Sequence, residues 1–247
     1  MFLVFAAGLI AGVVNTLAGG GSLLTLPLLI FMGLPGPIAN GTNRVAIWVQ
    51  CITAVVKFHQ SGIHEHKLAF IFSIPTVIGA ILGALVAVYM SDEVFRKVLA
   101  VVMIIIVALI VWNPKPKDIP PIQLKGPRFV AALLTFFLIG IYGGFIQAGV
   151  GYFFIAALTL LCGFNLIITT SLKVYIMAIY ITFTVVIFII SDQVIWSYAL
   201  VLSFGNGLGA WLGTHLAITR GEKWIRIFLV VSVIFMALKL SGVLPEF

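Results

Sequence analysis

Charge is scarce in this chain of 247 residues. Only 9% of its positions are Asp, Glu, Lys or Arg, against about 25% in a soluble domain. The acids Glu65, Asp92, Glu93, Asp118, Asp192, Glu222 and Glu246 all fall in loops between apolar runs or at the tail. With no carboxylate inside an apolar run, a buried cation site and a carboxylate proton relay are excluded. Cysteine is nearly lacking too: Cys51 and Cys162 stand alone in apolar surroundings. That excludes a disulfide framework, a CxxC pair and a Cys/His metal site, and leaves both as small buried hydrophobes. The net charge of +7 comes without a basic, aromatic-interleaved segment, so nucleic acid is not the partner and the cations read as topology signals.

What is abundant is apolar length. The chain is 62% hydrophobic with a mean hydropathy of +1.25. Apolar stretches cover Leu68 to Met90, Val98 to Trp112, Phe129 to Phe145, Leu166 to Ile190, Val194 to Ala217 and Ile227 to Leu238. Most approach the ~20 residues a helix needs to cross a bilayer. The composition predicts an all-α, polytopic membrane protein whose solvent is lipid. The stretch before Leu17 lacks the positive start of a signal peptide and reads as structure.

The sequence is written twice. "AGGG" at Ala18 to Gly21 falls on "AGVG" at Ala148 to Gly151 at a shift of 130, and Gly33 falls on Gly163 without a gap. Gly79 and Gly83 fall on Gly209 and Gly213 at the same shift, and Phe95 to Leu109 matches Trp224 to Leu238 at 129. Repetition of this kind marks transporter folds. The expected organisation is a first transmembrane repeat over residues 1–112, a hydrophilic linker over 113–128 rich in proline and charge, and a second repeat over 129–247. Each repeat holds two short apolar pieces around the glycine motif, a broken or re-entrant helical hairpin, followed by three spans.

Cation placement orients the repeats. If each hairpin dips in and returns, the second repeat is inverted. Lys57, Lys67, Lys115, Lys117, Lys125, Arg128, Arg220, Lys223 and Arg226 then share one face against Arg96, Lys97 and Lys239. A single broken span per repeat would divide them evenly. The positive-inside rule selects inversion, with both termini outside. Two full short crossings would give the same orientation, so re-entrant and fully spanning hairpins both remain open.

Three glycines in a row, Gly19, Gly20 and Gly21, between Asn15 and Thr16 on one side and Ser22 on the other, should break a helix. Irregular backbone at membrane depth needs protein or a polar cavity around it. The amides that open the next half-helix suit an anion. Gln147, Gly149 and Gly151 are the second motif's counterparts. Close helix packing is the competing account of these glycines, and the preferred one for Gly79, Gly83, Gly209 and Gly213.

Arg44 and Lys173 occupy nearly equivalent places in the spans that follow, Asn43 or Arg44 falling on Lys173 at shifts of 130 or 129. They read either as charge neutralisers for a bound anion or as side chains that snorkel to the interface. Asn40, Thr42, Asn43, Thr170 and Ser171 add hydrogen-bond donors. His59, His64 and His66 lie in a solvated loop, where their loose spacing does not make a metal site.

"AGVVNTLAGGGSLLTLPLLIFMGLPGPIANGTNR", Ala11 to Arg44, resembles the first-repeat signature of the sulfite exporter TauE/SafE family, and "GGFIQAGVGYFFIAALTLLCGF" resembles the second. The resemblance covers essentially the whole chain. It implies a multi-pass transporter of the bacterial inner membrane, without a cofactor, moving sulfite or another small, often sulfur-containing anion, usually outward.

The expected function is secondary transport of a small anion held between the two hairpins. Asn15, Thr16, Gly19, Gly20, Gly21, Ser22, Asn43, Arg44, Gln147, Gly149, Gly151, Ser171 and Lys173 are the candidate binding residues. A passive anion channel is the nearest rival. An intramembrane hydrolase pairing Ser22 with His215 lacks the GxSxG elbow, and a purely structural membrane protein would bind no anion. Catalysis is not expected.

Overall fold

The computed structural model describes residues 1–63, 65–112 and 120–220, the side chains of 104–112 and 220 excepted. Among the described residues the chain forms nine α-helices and no strand: α1 (Phe2–Leu17), α2 (Ser22–Phe31), α3 (Gly36–Gln60), α4 (His66–Val88), α5 (Asp92–Trp112), α6 (Pro127–Phe145), α7 (Val150–Ala156), α8 (Leu166–Ile190) and α9 (Trp196–Arg220). A π-helical turn, Ala157–Leu161, extends α7. The run Ile227 to Leu238, residues 113–119 of the linker and the match at Trp224 lie outside the described residues.

Among the described residues α4, α6 and α8 are long and apolar enough to cross a membrane, whereas α1, α2 and α7 with its π turn are shorter apolar helices. At about 1.5 Å per residue, the 16 residues of α1 reach ~24 Å and the 10 of α2 reach ~15 Å, both short of a ~30 Å hydrocarbon layer. The chain doubles back between them. Gly21 opens α2 so close to α1 that a Cβ there would lie 2.1 Å from the Ala11 carbonyl oxygen.

The duplication appears in the helix bounds. α3 and α8 each run 25 residues and begin and end 130 positions apart, while α4 and α9 begin at His66 and Trp196. Left-handed residues recur at Gly33 and Gly163 and again at Gly62 and Asp192. The breaks keep a different register. α1 ends at Leu17 and α6 at Phe145, and α2 starts at Ser22 and α7 at Val150, both 128 apart. Gly19 to Gly21 are therefore matched in structure by Gln147 to Gly149 rather than by Gly149 to Gly151. The second half-helix absorbs the two extra residues, and it is there that the π turn appears, as insertions into helices commonly produce.

Helices pack mainly across the duplication. α1 lies along α9, and α9 also lies along α3; α6 lies along α4, and α4 along α8. These form two four-part groups, α1, α2, α3 and α9 on one side and α6, α7, α8 and α4 on the other, each borrowing its last helix from the other half. Small residues set the close approach, as the sequence predicts: a Cβ on Gly83 would sit 2.0 Å from the Ile141 carbonyl oxygen, and one on Gly209 2.2 Å from that of Leu9. The central pair α3 and α8 runs antiparallel, since Trp48 bonds Thr182 while Arg44, one turn earlier, bonds Thr184.

Candidate functional site

The two helix breaks touch. Gly19, left-handed at φ +86°, has its Cα against the backbone of Gly151, where a Cβ on either residue would fall within 2.4 Å of the other. A Cβ on Gly20 would meet the Tyr152 ring and hydroxyl. The Ser22 hydroxyl stitches the breaks together, donating to the Gln147 carbonyl at 3.4 Å and accepting from the Gly149 amide at 3.2 Å. The Tyr142 hydroxyl donates to the Ala148 carbonyl. Asn15, Thr16, Gly19 to Gly21, Ser22, Gln147, Gly149 and Gly151 are all buried at this crossing.

Several polar groups there lack protein partners. Among the described residues no acceptor takes the amides of Gly20, Gly21 and Ser22 in the first break or of Ala148 and Gly151 in the second. The Gln147 side-chain amide has neither its nitrogen nor its oxygen paired, and the Thr16 and Tyr180 hydroxyls are likewise unpaired. Buried polar groups left open in this way cost about 1–3 kcal/mol each, so a concentration of them marks a place built for something other than stability.

The two cations close the other end of each break. A helix leaves its last carbonyls without intrahelical donors and carries partial negative charge there. Lys173 on α8 donates to the Asn15 carbonyl at 2.9 Å and to that of Thr16 at 2.7 Å, the end of α1. Arg44 on α3 donates to the Gly143 carbonyl at 3.0 Å and to that of Gly144 at 2.9 Å, the end of α6. Asn40, a turn below Arg44, donates to the Phe145 carbonyl at 2.7 Å. Both cations are fully buried, and the Arg44 guanidinium also lies over the Phe188 ring, 4.6 Å from its centroid. Neither snorkels to an interface.

The remaining candidates divide. Asn15 reaches Gln50 on α3 at 3.0 Å, and Asn43 accepts from Thr25 on α2 at 2.7 Å, so both tie the first hairpin to α3. Ser171 is not brought to the breaks. Its hydroxyl donates to the Ile63 carbonyl at 2.9 Å and lines a cavity of about 280 Å³ with Gly62, Glu65, Asn165, Ile167 and Ile168. The pairing of Ser22 with His215 does not form either: the Ser22 hydroxyl is engaged by backbone, while His215 stacks on Trp211 on the exposed face of α9. His59 and His66 stack on each other, and His64 lies outside the described residues. Sequence reasoning missed Gln50, Tyr142, Tyr180 and Thr184, whose only signal is a polar group inside an apolar span.

At the start of α3 and α5 the polar contacts are of another kind. Asp92 accepts from the Gly36 amide and pairs with Arg96 at 2.9 Å. The Gly36 hydrogen bond, reinforced by Arg96, holds the Asp92 carboxyl below the usual carboxylate range.

The sulfite exporter TauE/SafE family model matches residues 4–240. The probable membrane transporter protein YfcA of Escherichia coli K12 is 30% identical over 242 residues, covering 96% of this chain and 88% of the relative. The probable membrane transporter protein ORF9 of a Sinorhizobium species is 28% identical, covering 96% and 90%, and YunE of Bacillus subtilis 168, also named a probable membrane transporter protein, is 24% identical, covering 93% and 92%. No solved structure matches the chain. A match spanning both helix breaks and both buried cations makes this protein a membrane transporter that belongs to the sulfite exporter TauE/SafE family.

Proposed function

We propose that the protein is a secondary transporter, working outward, for a small anion of the sulfite or organosulfur class, and that the anion binds where the two breaks cross. The carrying observation is the group of unpaired donors at that crossing: five backbone amides and the Gln147 side chain, with no carboxylate buried among the described residues. Amides at the start of a half-helix favour negative charge and let the solute come close where glycine removes the side chain. Asn15, Thr16, Gly19 to Gly21, Ser22, Gln147, Gly149 and Gly151 line the site, and the charges of Arg44 and Lys173 balance it.

The repeats over 1–112 and 129–247 are inverted in this reading, a view supported by the antiparallel run of α3 and α8. The basic loops then face the cytoplasm in an inner membrane, with both termini outside. Reconstituted protein should carry sulfite, thiosulfate or sulfonates into or out of liposomes with saturable rates. Gln147→Met removes the unpaired amide without breaking any side-chain hydrogen bond. It should raise stability by about 1–3 kcal/mol while lowering anion flux at least ~10-fold. Absence of anion flux from wild-type protein, or flux that never saturates, would exclude the carrier.

A further inference from the structure

The two buried cations carry more than a general positive charge. Lys173 meets the carbonyls of Asn15 and Thr16, and Arg44 meets those of Gly143 and Gly144. Those acceptor pairs are 128 positions apart, the register of the breaks themselves. Each cation therefore does the same job at the same place, but in the opposite half of the chain: the second repeat's lysine holds the first repeat's hairpin, and the first repeat's arginine holds the second's.

From this crossed arrangement we infer that Arg44 and Lys173 are positioning residues that act through helix ends rather than on the anion. Each binds the C-terminal carbonyls of the helix that leads into a break, and the next residues of the chain are those whose amides open the anion site. Residues Ala18 to Gly21 lie directly after the Lys173 clamp, and Ile146 to Gly149 directly after the Arg44 clamp. Fixing the last turn fixes where the following loop points. Lys173 spends two of its three donors on carbonyls, and both terminal nitrogens of Arg44 are engaged, adding Thr184 at 3.0 Å and Asn40 at 3.5 Å and leaving only Nε without a partner. The clamp also makes each hairpin answer to a helix of the other repeat, so a movement of α8 is felt at the first break and a movement of α3 at the second.

This inference rests on the anion-site reading, and a crossed measurement separates the two. Amide exchange by mass spectrometry on full-length protein in nanodiscs, without any anion, should show Lys173→Met accelerating exchange roughly 10-fold or more over residues 15–24, while the break at 145–152 stays near wild type. Arg44→Met should give the reverse pattern. Lys173→Arg, which keeps the charge and can still donate to both carbonyls, should hold the exchange and sulfite affinity closer to wild type than Lys173→Met does, whereas Arg44→Lys gives up the two-armed contact over the Phe188 ring and should recover only part of both. If one Met variant does not fold, the other still tests the crossing, because its exchange must rise in the hairpin of the opposite repeat and not around the substituted residue. Exchange that rises only around the mutated residue, or sulfite affinity that falls while hairpin exchange stays unchanged, would overturn the inference, the latter by making the cation a direct ligand. Crossed exchange in the Met variants, with a wild-type protein that binds neither sulfite, sulfate nor thiosulfate, would leave the clamps standing and defeat only the anion site.

Discussion

The first hairpin and the second meet at one crossing but turn with different residues and different backbone angles. In the first, three consecutive glycines supply the left-handed residue and the close approach, and α2 runs ten residues as a regular helix. In the second, Gln147 at φ +65°, which is not glycine, and Gly149 at φ +69° are both left-handed, whereas Gly21, the counterpart of Gly149, is right-handed at φ −59°, and the longer half-helix takes up its surplus in a π turn. A left-handed residue with a side chain costs about 1–2 kcal/mol, so the second break carries strain that the first avoids. What the halves share is therefore the place of the break, a left-handed residue at Gly19 and Gln147, and the cation that clamps the helix before it.

The largest effect should come from forcing the breaks apart. A Cβ on Gly151 would lie 2.2 Å from Gly19 Cα, backbone against backbone, so Gly151→Ala should cost about 3 kcal/mol or more; a thermal unfolding midpoint close to wild type would show that the crossing is loose. Gly33→Ala sharpens the contrast. Nothing lies within 4 Å of its Cβ position, yet φ is +93°, so only the conformational penalty of about 1–2 kcal/mol applies.

An intermediate effect tests the asymmetry of strain. Gln147→Gly should stabilise the second break by about 1 kcal/mol once glycine's own entropy is counted. Thermal unfolding checks the sign, and a loss of stability would mean that Gln147 is held without strain.

The smallest effect lies at the helix starts that follow the hairpins. α8 is capped by its own Asn165, which accepts from the Ile168 amide at 2.9 Å, whereas the start of α3 relies on Asp92 of α5. The Asp92 carboxyl titrates lower in the folded chain than in the unfolded one. Its contribution is thus complete above the unfolded value of about 4 and disappears as pH falls through the folded value. Because the pair with Arg96 is exposed, with side-chain exposures of 45% and 44%, Asp92→Asn should cost no more than about 1 kcal/mol at pH 7. The wild-type advantage should shrink below pH 4 in a fluorescence melting series.

The sequence made some of this readable and hid the rest for identifiable reasons. α8 coincides with the apolar run Leu166 to Ile190 because Asn165 caps one end and the polar Ser191 and Asp192 close the other. The first break announces itself as three glycines. The second is displaced by two residues in a sequence alignment, because matching AGVG to AGGG rewards glycine identity while the backbone is set by Gln147, whose type gives no sign of a left-handed conformation. Arg44 and Lys173 are visible as equivalent buried cations. Their partners are main-chain carbonyls in the other half of the chain, which no side-chain pattern encodes. Ser171 looked equivalent to its neighbours in the string, but the helix turns it toward Ile63 rather than the breaks.

The exchange of α4 and α9 between the two halves has a consequence for how the protein is made. When the first four helices leave the ribosome, the glycine grooves of α1 and α4 have no complementary surface within their own half, because those surfaces belong to α9 and α6. A nascent chain truncated before α6 therefore keeps the ties of its first hairpin and of α5 to α3 but leaves the glycine faces of α1 and α4 without the helices that fill them.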